Sequence, residues 1–476
     1  MNNTYKVYIL LAMALMVYAS CNKQLDALPE NAKVEGNTII DQPSANIALN
    51  GAYYVFANAD NSQTKWSANK VLGSMAAGYL AYGAGSYSEE SDDFALTTYT
   101  DQWGRYYSLI NAANGVITGV EALPNTKFVG ARKVQMLAEA HFLRAYGCFK
   151  LLSQFGQWFD ISSKYGIIIQ DQFNNLTNIK KPRSSVKESY AFMITDLDYA
   201  IANGSATAVN TNIYANKWTA MALKMRVLLS RGQGDDYAQA VTLGNTIINS
   251  SPYKLENNLQ DVFYTRGLQS QEVMLGVQPQ ANQELITNND NTSLNFALVK
   301  PPRPFRATTA LKNLYAGDPR QSWVVGDTVP NNKTYFFIKY VKPEQVPTQL
   351  SEVAYTIRLS EVYLMLAEAS VRSGGDINTA KSLLKTVMGK SGVTDFTAVD
   401  GAATSDALLI QLYYEYARNL VGEDGIEWLA LLRLPFNTVK TLRPAITSQI
   451  QYILPIPHSE IVNNPNFGDQ NPGYQR

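Results

Sequence analysis

Ala138-Glu139-Ala140-His141-Phe142-Leu143-Arg144-Ala145-Tyr146 is the centre of a predicted helix over Lys127–Phe155, the clearest helical pattern in the chain. Val134, Ala138, Phe142, Ala145, Phe149 and Leu152 recur on one face at the 3.6-residue period, and Met136, Ala140, Leu143, Gly147 and Leu151 form a second stripe beside it. A helix with one apolar stripe lies on a surface, whereas two adjoining stripes require neighbours on several sides. The expected fold class is therefore mainly all-α.

The pattern extends in both directions. Asp41 or Ser44 is placed to cap an earlier helix whose apolar positions are read as Ile47, Gly51, Tyr54 and Val55, and a second helix is predicted from Gln102 to Val120. Later helices come in pairs. Asn212–Arg231 is followed across Gly232-Gln233-Gly234 by Asp235–Asn249, and Ile357–Arg372 is followed across Ser373-Gly374-Gly375 by Asp376–Met388. Each pair has a glycine break and an Asp suited to cap the second helix. Leu359, Val362, Leu366 and Ala369 line one face of the later pair, matched by Ile377, Ala380, Leu384 and Val387. Such pairs resemble degenerate tetratricopeptide-like units. Long aromatic, Gly-, Asn- and Pro-containing insertions interrupt them near residues 58–100 and 255–350, and loops of that length in compact proteins are commonly functional.

The N-terminus carries Lys6, an apolar run from Val7 to Ala19, and then Val17-Tyr18-Ala19-Ser20-Cys21. A basic start, a short apolar middle and small residues before the cut mark a secretory signal. Ala19 and Ser20 before a cysteine resemble a bacterial lipobox, with Tyr18 where Leu usually stands; the alternative is an ordinary signal peptide with an incidental cysteine. Residues 1–20 are thus expected to be a signal peptide and 21–40 a lipidated tether, with 41–476 forming one body. Acyl chains on Cys21 would contribute about 0.8 kcal/mol per buried CH₂. Cys148, inside an apolar helix, then has no disulfide partner and reads as a buried hydrophobe.

Lys plus Arg (40) equals Asp plus Glu (40), and no basic run suited to phosphates occurs, so nucleic-acid binding is not expected. Charged residues make up 17%, below the quarter usual for globular chains, and neutral polar and tyrosine side chains are plentiful. Such a surface suits neutral polar ligands.

Four passages carry a family resemblance: Ala138–Tyr146 with the following Phe155-Gly156; Ala220–Leu229; Ile357–Ala369; and Leu454-Pro455-Ile456-Pro457 with Asn464-Pro465-Asn466 and Asn471-Pro472-Gly473-Tyr474. Together they resemble the SusD/RagB family of outer-membrane nutrient-binding lipoproteins over nearly the whole chain. The resemblance implies helix pairs backing a loop-rich variable face, an outer-membrane site facing the exterior, no catalysis and no cofactor. It also implies a SusC-like TonB-dependent β-barrel transporter as partner, with an oligosaccharide, or in some members a peptide, as ligand. Gly425-Ile426-Glu427-Trp428 and Ala430-Leu431 depart from the family's Arg-Trp and later Asp-Leu, which puts a local ion-pair network in question but not the fold. Trp158 after Phe155-Gly156 likewise implies a differently shaped loop.

Sugars present flat C–H faces ringed by hydroxyls and are held by aromatic stacking and amide or charged hydrogen bonds. The first insertion supplies Trp66, Asn69, Tyr82 and Tyr87, and the resemblance makes Trp66 and Tyr82 the leading platform; the alternative role for each is packing. The second supplies Phe296, Arg303, Phe305 and Trp323. Trp103, above Tyr106 and Ile110, reads as core, as do Trp218 and Trp428. The acidic run Glu89-Glu90-Ser91-Asp92-Asp93 lacks the spacing of a recognised Ca²⁺ loop and reads as solvated. His141 and His458, far apart, suggest no zinc site, and His141 reads as a packing residue. Glycoside hydrolysis by a carboxylate pair and a protein-binding scaffold remain the competing classes.

Overall fold

The computed structural model describes residues 38–57, 66–82, 92–207, 212–278, 305–328, 334–340 and 353–475. Cys21, Tyr87, Phe296 and Arg303 lie outside the described residues, as do most of the tether and most of the acidic run.

In chain order the elements are α1 (Gln42–Phe56), α2 (Ser67–Ala76), β1 (Leu80–Tyr82), α3 (Asp92–Glu121), α4 (Arg132–Phe155), α5 (Val186–Asn203), α6 (Lys217–Arg231), α7 (Asp236–Ser250), β2 (Val273–Val277), β3 (Phe305–Ala307), α8 (Thr309–Leu314), α9 (Gln321–Val324), β4 (Val325–Thr328), β5 (Tyr335–Phe337), β6 (Ala354–Arg358), α10 (Leu359–Arg372), α11 (Ile377–Lys390), α12 (Thr397–Asp400), α13 (Ser405–Leu420), α14 (Ile426–Leu432), α15 (Phe436–Leu442) and α16 (His458–Asn463). The mainly helical class holds. Helices α3 to α7 pack each on the next, α7 packs on α10, and α10 contacts both α11 and α13. Two small antiparallel sheets, ordered β1-β3-β5-β4 and β2-β6, are attached to this stack.

Both stripes of α4 are buried, except that Val134 at its first turn is 38% exposed. The helix starts at Arg132 rather than Lys127 because a 3₁₀ turn at Asn125–Lys127 precedes it. Helix α3 begins at Asp92, ahead of the predicted Gln102. In α1, Asp41 and Ser44 form a reciprocal capping box. Its buried face is not the predicted one: Ala45, Leu49, Ala52, Tyr53 and Phe56 point inward while Ile47 is 52% exposed. The alanines let α3 and α4 approach closely, and two aromatic rings bury more area than Ile47 would. Of the two paired helices, α6 ends at Gly232 in the left-handed conformation (φ 56°) and Asp376 caps α11 as expected. Asp235 makes no side-chain cap to α7; Asp236 instead accepts from Gln233 N (2.8 Å) and Arg231. The insertions are not loops throughout, since they supply α2, β1 to β5 and the buried Val71, Leu80, Leu275 and Phe337.

Charged groups buried between elements join the two halves of the chain. Arg226 on α6 donates to Glu361 on α10 (Nε–Oε1 2.6 Å, Nη2–Oε2 2.7 Å) and to Asp424 (2.8 Å). Asp424 also accepts from Lys150 (3.1 Å) and Tyr146 (2.9 Å) of α4. Beside it, Arg358 donates to Glu423 (2.8 and 2.7 Å) and Glu272 (2.5 Å), and Lys339 donates to Glu423 (2.7 Å). Arg433 and Arg372 share Glu368.

Helix α2 is clasped by the same region. Gly73 lies so close to Gly425 that a Cβ there would sit 2.4 Å from the Gly425 Cα. Ser74 donates to Glu427 and accepts from Gly422 N (2.9 Å), and Lys70 donates to Val353 O (3.1 Å). The sequence departure at Glu427 is thus met locally by a hydroxyl rather than a cation, while ion pairs persist on either side.

Two predictions follow from these buried charges. Arg358→Ala removes the cation paired with Glu272 and leaves Glu423 to Lys339 alone, and should cost about 3–5 kcal/mol, read from urea unfolding. Burial pushes the Glu427 carboxyl up to about 7, against the opposing Ser74 bond. A raised pKa means the folded state holds the proton, so this contribution is full below about pH 4.5 and is lost as pH rises through about 7. Melting temperature should fall from pH 6 to pH 8, and Glu427→Gln should flatten that slope. For Glu368, burial is outweighed by Arg433 and Arg372, which hold it at about 2, so its contribution is lost only as pH falls from about 4.5 toward 2.

Candidate functional site

At the C-terminal end of α1 lies a cavity of about 330 Å³ lined by Asn50, Tyr53, Tyr54, Phe56, Ala57, Ile213, Tyr214, Gly276, Val277 and Gln278. Three separate segments build it: α1, the stretch before α6, and the end of β2. Asn212 holds the second of these in place with a left-handed backbone (φ 50°), its carbonyl accepting from Gly276 N (2.9 Å) and its amide donating to Leu268 O (3.0 Å). Gly276 is favoured there, since a Cβ would sit 2.7 Å from the Ala354 carbonyl oxygen of the paired strand.

The wall is rigid and the rim is polar. Tyr53 donates to Glu139 (2.9 Å) and accepts from Ala215 N (2.7 Å), so both functions of its hydroxyl are used internally. Burial raises Tyr53 well above its ordinary pKa, with Glu139 adding to the effect, so it stays a neutral phenol. Burial also raises Glu139, while Arg132 (2.6 Å) pulls it back. Tyr214 stands edge-on to Tyr53 (centroids 4.9 Å, 90°) and is half-buried. Its hydroxyl reaches Asn50 at 3.4 Å. Asn50 and Gln278 are exposed at the mouth. An arrangement of phenol rings and side-chain amides around a small opening can hold a polyhydroxylated ring by stacking and neutral hydrogen bonds.

The residues selected from the sequence fall elsewhere. Trp66 is a correction: it is 1% exposed and packs on Phe56 (5.1 Å) and Tyr146 (6.4 Å), supporting the cavity wall from behind rather than offering a ring to ligand. Asn69 is buried and accepts from Tyr106 (2.7 Å). Trp323 is also a correction, 8% exposed against Phe263 and Tyr264. Tyr82 and Phe305 are brought together, as directly paired residues of β1 and β3. Trp103 and Trp218 are buried as expected, Trp428 is half-buried, and His141 is satisfied by Asp196 (2.6 Å). Cys148 is buried and free.

Sequence reasoning missed Asn50, Tyr54, Tyr214 and Gln278. Tyr54 had been placed on the core face of α1, and Tyr214 inside a helix that actually begins at Lys217. The signal was available in Asn216 and Thr219, which form the α6 capping box and leave Tyr214 ahead of the helix.

Two family models match the chain: one described as "Starch-binding associating with outer membrane" over residues 23–229, and one described as "SusD family" over residues 324–474. A SusD-like protein of Bacteroides ovatus is 24% identical over 327 residues, covering 59% of this chain and 57% of its own length. The chain therefore spans little more than half of that curated relative. Among solved structures, a SusD superfamily protein from Bacteroides thetaiotaomicron superposes with a TM-score of 0.71 at 22% identity, covering 91% of this chain and 100% of the other. A laminarin-binding SusD-like protein superposes with a TM-score of 0.70 at 19% identity, again covering 91% and 100%. These likenesses show the fold.

Buried and cavity-rim aromatics should separate by mutation. Trp66→Ala should cost about 3–5 kcal/mol in chemical unfolding, the usual range for a large buried aromatic, whereas Tyr214→Ala at the half-exposed rim should cost about 1 kcal/mol or less.

Proposed function

The chain belongs to the SusD family, and from that premise we propose that it is a lipid-anchored outer-membrane protein that binds oligosaccharide and delivers it to a SusC-like TonB-dependent transporter. The observation that carries the binding half is the cavity framed by Tyr54 and Tyr214 with Asn50 and Gln278 at its mouth. Its size lies at the low end of the roughly 300–1,000 Å³ usual for small-molecule sites, which suits about one or two sugar rings with the rest of the chain outside. The descriptions of the matched family and of the laminarin-binding structure support the same ligand class. Capture without cleavage is the expected chemistry, because stacking and amide contacts stabilise a ground state rather than a developing charge.

The anchor assigned to Cys21 supports the membrane half. Among the described residues no helix is long and apolar enough to cross a membrane, and acyl chains on Cys21 would supply an attachment. Handing cargo to a β-barrel partner follows from the family and from Cys21 holding the body at the membrane.

Passing the purified protein over immobilised polysaccharides should show retention, with the eluted sugars unshortened; shorter products would identify a hydrolase, and no retention on any glycan would reject sugar binding. Cys21→Ala should move the protein from the membrane to the soluble fraction of cells lacking the transporter.

A further inference from the structure

We propose that this cavity selects uncharged sugar rings and discriminates against anionic ones, with Tyr214 as the residue that sets the choice. The inference rests on the carbohydrate-binding reading above and adds the ligand's charge class to it.

The lining carries no Lys, Arg, Asp or Glu among the described residues. Its polar groups are phenols and carboxamides, which bond sugar hydroxyls without compensating a charge. A carboxylate or sulfate entering the cavity would give up ionic hydration and meet no cation among the described lining residues, a cost that neutral hydroxyls do not bear. The aromatic walls add to this, since ring faces carry negative quadrupole density and attract the C–H face of a sugar but not an anion.

The charges behind the wall act in the same direction. The group directly bonded to Tyr53 is the carboxylate of Glu139, at 2.9 Å. The cation nearest in that chain of bonds, Arg132, is committed to Glu139 (2.6 Å) and to Asn46 (3.2 Å). An anion in the cavity would therefore face an acid through one tyrosine, and the guanidinium that compensates that acid is already bonded to it and to Asn46.

Tyr214 is the part of this wall that is both held and reachable. Its ring is set at 90° against Tyr53, and Tyr53 is fixed by two hydrogen bonds, so the ring plane is pre-organised before ligand arrives. Asn50, which accepts from the Tyr214 hydroxyl, is an exposed neutral amide beside that ring.

The test uses the tightest neutral oligosaccharide found on the polysaccharide panel, and the same oligosaccharide oxidised at C6 to its uronate form, with binding measured by calorimetry. Oxidation should weaken binding at least about tenfold. Tyr214→Ala should weaken the neutral ligand about tenfold with melting temperature little changed, and Tyr214→Phe should retain most of the affinity. Asn50→Lys should narrow the gap by improving binding of the oxidised form, a gain that loss of folding cannot mimic. Equal or tighter binding of the oxidised form, or Tyr214→Ala with unaltered neutral affinity, would overturn the proposal and leave carbohydrate binding standing. A panel that retains anionic glycans alone would overturn it as well. Absence of binding to every glycan would instead remove the reading on which it rests.

Discussion

The structure depends on a set of charges that are buried where the two halves of the chain meet. Arg226, Glu361, Asp424 and Lys150 form one group, and Arg358, Glu423, Glu272 and Lys339 form the other, with Glu423 and Asp424 adjacent in sequence. Taking an ion out of water costs several kcal/mol, and that cost is offset here by bidentate geometry and by multiple acceptors for each guanidinium. Apolar stripes alone let helices slide and rotate past one another. Directed bonds between α4, α6, α10, β6 and the segment before α14 leave one register in which every charge is met.

The candidate site hangs from that hub through a short chain of contacts. Tyr146 donates its hydroxyl to Asp424 and lays its ring 5.1 Å from Phe56. Phe56 lines the cavity and is backed on its other side by Trp66. Two turns earlier, Glu139 on the same helix α4 fixes Tyr53 and through it Tyr214. A single helix thus registers both the ion cluster and the aromatic wall, which is how a loop-rich face is given a rigid floor.

Much of the fold was legible in the sequence for the same reason. Three of the four passages that carry the resemblance contain Glu139, Arg144, Arg226, Arg358, Glu361 and Glu368, all buried and paired. Period and composition revealed α4, α10 and α11 because their apolar positions are dictated by burial. The face of α1 was misread because two amphipathic phases coexist in it, and the closeness of α3 and α4, which decides between them, is a tertiary fact. The site was legible only as a composition. Aromatic type does not separate a ring that supports from a ring that faces ligand: Trp66 and Trp323 turned inward, while Tyr54 and Tyr214 line the cavity. What distinguishes them is where helices end, as the Asn216 cap ahead of α6 illustrates.

The low overall charge takes on meaning once the charges are located. A share of the Lys, Arg, Asp and Glu side chains lies in the interior, among them Lys150, Arg226, Arg320, Lys339, Arg358, Glu361, Glu368, Glu415, Glu423 and Asp424. Such groups are almost never fully buried unless paired, so each one committed to the core is removed from the surface together with its partner. With 17% charged residues to begin with, internal pairing lowers the share of charge left for the exterior. The interior charges that specify the helix stack and the cavity lining, uncharged among the described residues, reflect one division of labour: ion pairs fix the frame, and phenols and amides line the cavity.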